Sequence, residues 1–171
     1  MKLAFVSPTS GRPGCGVGDH GLYLAEALAR RVEVYFATGP IDSRALPAGL
    51  AAHRHLEPGR TDPAGFRRWL DRIEPSVVLL QHAPHLESRR GLDGHAFRRA
   101  RAASSGGHEV MVFFHEIASP FAFRPGVVVA GLFQRLVALG LMRMVVGAFV
   151  GIAILLGISV QILGNSVTDC T

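Results

Sequence analysis

The chain has 171 residues, enough to bury one full core, and 49% of them are hydrophobic. Its 18 basic and 13 acidic residues leave a formal net charge of +5, carried almost wholly by arginine because Lys2 is the only lysine. No interleaved aromatics, zinc-ligand spacing or recognition-helix pattern accompanies that charge, which argues against a nucleic-acid partner. Cys15 and Cys170 lie at opposite ends, which argues against a disulfide framework and for reduced thiols in a cytoplasmic protein. Met1–Pro8 has only Leu3–Val6 as an apolar run, too short for the core of a signal peptide.

The first elements come in quick succession. Leu3–Val6 reads as a buried strand that stops at Ser7-Pro8. A loop with Gly11, Gly14, Gly16 and Gly18 follows, then a helix over Asp19–Arg31 and a second strand over Val32–Phe36. Strand, glycine loop, helix and strand form the opening of a nucleotide- or phosphate-handling α/β domain. Glycines let backbone N–H groups approach a ligand, and a helix start behind them favours negative charge.

Pro40–Leu56 is loop-like with a short strand near His53–Leu56. Asp62-Pro63 starts a helix whose Phe66, Leu70 and Ile73 share one face. Val77–Leu80 reads as a strand covered on both faces, Leu92–Ser104 as a basic helix closed by Gly106-Gly107, and Val110–Phe114 as another buried strand. The alternation predicts an α/β fold built on a parallel sheet. The clusters Arg67-Arg68, Arg89-Arg90 and Arg98-Arg99 with Arg101 read as solvated surface, with phosphates or an anionic membrane as the sharper alternative.

The C-terminal third changes character. Met144–Leu163 is a 20-residue run without charge, polar only at Ser159 and Gln161. It has the length of a membrane-spanning helix. It also reads as a buried strand over Val145–Ile154 followed by a short apolar helix, and the preceding alternation favours that second reading.

The opening LAFVSPTSGRPGCGVGDHGLYLAEALARRVEVYFAT resembles the start of family-4 glycosyltransferases of the GT-B type. VVLLQHAPHLESRRGL and HEVMVFFHEIASPFAF resemble later strands of the same domain and the loops behind them. The resemblance covers residues 1–143, with 144–171 as a separate apolar segment. It implies a Rossmann-like parallel sheet with helices on both faces, the acceptor-side half of a two-domain enzyme. Such an enzyme moves a sugar from a nucleotide-sugar donor to the hydroxyl of a sugar or lipid-linked acceptor. The Glu-x7-Glu pattern of the second domain is absent, so the resemblance implies an incomplete, inactive unit. Nucleotide-sugar is then a co-substrate, with no cofactor and no metal.

The same resemblance assigns roles. Gly16 and Gly18 would bring backbone amides to a diphosphate or to acceptor hydroxyls, with Asp19 beside them. His115, at a strand's C-terminal end, would line the cleft and hold a hydroxyl or move a proton as the catalytic candidate. Glu116 would orient it or bind the acceptor, and His82 would contact the acceptor. A metal site on His82, His85 and His115 is disfavoured, because Pro84 disrupts regular ligand spacing and no carboxylate completes the set. His53 and His55 read as surface residues, and Phe121 and Phe123 as core. Gly16-x-Gly18-x-x-Gly21 also matches a dinucleotide fingerprint, but its first glycine lies far from the strand and the second strand ends Ala37-Thr38-Gly39 without an acid. An NAD-dependent oxidoreductase is therefore a third class, after a non-enzymatic α/β module anchored to a membrane, for which the localisation is membrane-associated.

Overall fold

A computed structural model describes residues 1–8, 15–38, 51–53, 62–87, 92, 94–115 and 125–156. Five strands, β1 (Lys2–Ser7), β2 (Glu33–Thr38), β3 (Ala51–His53), β4 (Val77–His82) and β5 (Glu109–Phe114), form one sheet in the order β3-β2-β1-β4-β5. Every pairing is parallel. The five C-terminal strand ends therefore share one edge. The helices are α1 (Gly16–Ala29), α2 (Pro63–Ile73), α3 (Pro84–Glu87), α4 (His95–Ser104) and α5 (Pro125–Leu156). The protein is an α/β domain with a Rossmann-like parallel sheet flanked by helices on both faces.

The alternation of side chains along each strand sorts the core into two layers. Ala4, Val6, Val78, Leu80 and Val110 meet Phe66, Trp69 and Leu70 of α2, Ala100 of α4 and Leu141 of α5 on one face. Leu3, Phe5, Val34 and Phe36 meet Ala25 of α1 on the other, with Phe5 and Phe36 in an edge-to-face contact at 5.3 Å. Each fully buried large side chain contributes about 1.5–3 kcal/mol through removal from water.

Helix α2 begins where the sequence indicates. Asp62 caps it, its two carboxylate oxygens accepting from Ala64 N and Gly65 N at 3.0 Å each, and Pro63 occupies the first turn. Glu74 closes the helix in the left-handed conformation, φ 49°. Its buried face is Phe66, Trp69, Leu70 and Ile73. Arg67 then ties α2 to α4 through Ala102 O and Ser105 Oγ.

Three expectations are corrected. Val145–Ile154 is helical, the distal part of α5, and not a strand. A continuous apolar run of β-branched residues fits both states, and here the helix simply runs on. Because no strand follows there, β5 forms the sheet's edge among the described residues, and the strand expected to be buried shows one open face, with Met111 37% and Phe113 41% exposed. The short strand expected near His53–Leu56 lies at Ala51–His53. Glu116, His55, Phe121, Phe123 and Cys170 lie outside the described residues.

Candidate functional site

The chain adds β2 and β3 on one side of β1 and then returns to place β4 on the other. Beyond the C-terminal ends of β1 and β4 lies the switch point where open parallel sheets bind ligands. The strands are apolar until they reach this edge. There β1 ends in Ser7, β2 in Thr38 and β4 in Gln81-His82, all four at most 2% exposed. Ser7 and Thr38 are direct neighbours in the register. Polar groups so deeply buried are costly unless paired, and their concentration at one edge makes it the candidate functional end of the sheet.

Helix α1 reaches over this edge. Its Gly21 lies so close to the strands that a Cβ there would stand 2.7 Å from Gln81 Oε1 and 3.0 Å from Ser7 Oγ. Only the missing side chain lets the helix settle onto β1 and β4. One residue earlier, His20 Nδ1 meets Gln81 Nε2 at 3.2 Å. With the amide nitrogen donating, His20 Nδ1 accepts and Nε2 is its donor nitrogen. Gln81 Oε1 has no hydrogen-bond partner among the described residues.

Three rings close the site. His20 lies 5.0 Å from Phe113 and 5.2 Å from His115, and Phe113 lies 4.9 Å from His115. His115 is half-buried, its backbone N–H donates to His82 O at 3.0 Å, and its Nε2 has no hydrogen-bond partner among the described residues. Burial, with a smaller contribution from the neighbouring His20, lowers its pKa from the ordinary 6.5 to about 4. At neutral pH His115 is thus an uncharged imidazole, the form that accepts a proton or a hydroxyl hydrogen bond.

The other sequence candidates fall in different places. Gly16 is the first residue of α1, and a Cβ there would meet no atom of the described residues within 4 Å. Gly18 is buried in the same turn. Asp19 is the acidic residue of that first turn, where its charge favours the helix dipole and would lie beside any anion bound at the helix start. His82 is 1% exposed and packs edge-on against Phe114 at 5.7 Å. Strand alternation puts it on the face opposite Gln81, away from the His20 cluster. Among the described residues no group of three or more His, Cys, Asp or Glu side chains could hold a metal ion.

His20 and Gln81 were not apparent as site residues in the sequence. Their signal is faint: a strand that turns polar at its last residues, Gln81-His82, and a histidine directly ahead of the glycine that packs on it.

No protein-family model matches the chain, and no curated protein is significantly similar to it in sequence. One solved structure that it resembles is the UDP-GlcNAc 2-epimerase from Methanocaldococcus jannaschii, with a TM-score of 0.42 at 13% identity. That likeness covers 80% of this chain and 37% of the epimerase chain.

Proposed function

We propose that the chain is the acceptor-side domain of a sugar-transferring enzyme of the GT-B type, using a nucleotide-sugar as co-substrate. The observation that carries this reading is the convergence of His20, Phe113 and His115 on the buried polar strand ends, at the switch point of a β3-β2-β1-β4-β5 sheet. The resemblance of the opening segment and of the two later strands to family-4 glycosyltransferases supports it. In this reading the aromatic face of Phe113 stacks on a sugar ring, neutral His115 takes a hydrogen bond or proton from the acceptor hydroxyl, and His20 donates to a sugar or phosphate oxygen. The first-turn amides at Gly16 and Gly18 supply further donors. Glu116 is retained as an acceptor contact, and His82, expected to contact the acceptor, serves instead as a buried support whose carbonyl fixes the backbone of His115. Positioning and charge stabilisation supply the rate in such enzymes, and a second α/β domain supplies the donor half of the cleft. The domain by itself then binds ligand without turning it over.

The test is a titration of the protein with UDP, UDP-sugars and free sugars, following the imidazole resonances of all its histidines. Shifts at His20 and His115, with none at His95 and His108, are expected. No response at His20 and His115 to any of these ligands would overturn the reading.

One observation favours a second reading. Gly21 makes the close helix–strand contact that the third glycine of a dinucleotide fingerprint makes. Gly16, where a Cβ would meet no described atom within 4 Å, and Thr38 at the end of β2, where an acid would hold the ribose, count against it. Tight binding of NADH in the same titration would move this reading ahead.

A further inference from the structure

Helix α5 is 32 residues long, about 48 Å at the α-helical rise. The strand beside it, β5, has six residues and spans about 20 Å. The first half of the helix is anchored. Ala130, Gln134, Val137, Ala138 and Leu141 are buried, and Phe133 and Met144 pack against the core cluster. Gly140 seats the helix on α4, where a Cβ would lie 2.7 Å from the Phe97 ring. Gly126–Val145 is long and apolar enough to cross a membrane, yet a third of it is buried, and that third is committed to the domain core.

The other side of that anchored half is open. Val129, Leu132, Leu136 and Leu139 are between 51% and 68% exposed and recur at helical spacing along one stripe. Beyond Met144 the helix contains only valine, glycine, alanine, phenylalanine, isoleucine and leucine as far as Leu156. A helix that is apolar on every side lacks the polar face that a water-exposed helix carries. The sequence stays uncharged to Leu163, and 20 residues as a helix measure about 30 Å, the thickness of a bilayer's hydrocarbon core. Exposed Arg143 stands at the start of this run, and exposed Arg98 and Arg101 lie on α4, the helix packed beside α5. Arginines at that boundary match anionic lipid head groups, with their aliphatic stems on the apolar side.

We infer that α5 docks this domain on a lipid bilayer, with the uncharged segment that follows Met144 in the hydrocarbon and Arg143 near the head-group boundary. A bilayer surrounds an uncharged helix of that length with apolar chains on every side. The inference is independent of the reaction proposed for the cleft.

The test is flotation of the full chain with phosphatidylcholine vesicles containing phosphatidylglycerol, followed by extraction with alkaline carbonate. The wild type is expected to float and to resist extraction. The double variant Ala148→Arg/Ile152→Arg is expected to lose flotation about tenfold or more while keeping its circular dichroism spectrum, because each charge is costly in hydrocarbon. A wild type that stays at the bottom or is released by carbonate overturns the inference, as does a variant that floats equally well. A dimer that the variant converts to a monomer, with no vesicle binding by either form, would assign the segment to a protein–protein contact instead.

Discussion

The His20 ring stands edge-on to the His115 ring, with centroids 5.2 Å apart and planes at 82°. One lies on the helix that follows β1 and the other just past the end of β5. This contact and burial act in the same direction on His115, toward the neutral imidazole.

A pH dependence follows. The folded state holds His115 near pKa 4, below the ordinary 6.5, so between those values the unfolded chain binds more protons. Stability should be full above about pH 6.5 and fall as the pH drops toward 4. Urea midpoints measured across that window should decline for the wild type and decline less for His115→Gln. In His20→Ala the His115 resonance should titrate at a higher pH, but only part of the way to 6.5, since burial is the larger cause.

Gly21→Ala should destabilise the protein by about 1–3 kcal/mol, the usual range for overpacking. The new Cβ meets Gln81 Oε1 at 2.7 Å, and Gln81 is buried beneath the helix with little room to retreat. Equilibrium unfolding in urea reads the loss. The His20 resonance should shift as well, because Gln81 holds its ring.

Asp62→Ala should cost about 1 kcal/mol through loss of both amide contacts at the start of α2. Asp62→Asn should retain most of that stability. A thermal melt of the three proteins makes the comparison, and equal melting temperatures would deny the cap its role.

The two sides of α5 should respond oppositely in the absence of lipid. Leu141→Ala, at 0% exposure, should cost about 2–5 kcal/mol. Leu136→Ser, at 68% exposure, should stay within about 0.5 kcal/mol of the wild type. Chemical denaturation of both variants would show which face of the helix the sheet holds.

Much of this arrangement was legible in the residues themselves. Apolar runs of four or five residues marked β1, β4 and β5, and a β-branched and aromatic run marked β2, because strands of a helix-covered parallel sheet carry little polar alternation. Asp62-Pro63 with Phe66, Leu70 and Ile73 marked α2, because a cap and a 3.6-residue period are local properties. His115 drew notice for the same reason, as a histidine at a strand's end.

Other features depended on contacts distant in sequence. Val145–Ile154 fits a strand and a helix equally well by pattern, and the packing of Val137 and Leu141 on the sheet shows the chain already helical when it enters that run. The openness of Met111 and Phe113 depends on what lies beyond β5, which no property of β5 encodes. The candidate site is the clearest case. His20 and Gln81 are unremarkable in order along the chain, and only the parallel ladder, which brings β1, β4 and β5 to one edge beneath a glycine in α1, sets them beside His115. Local chemistry fixed the elements, and long-range pairing, with its strand order and helix approach, decided which side chains meet.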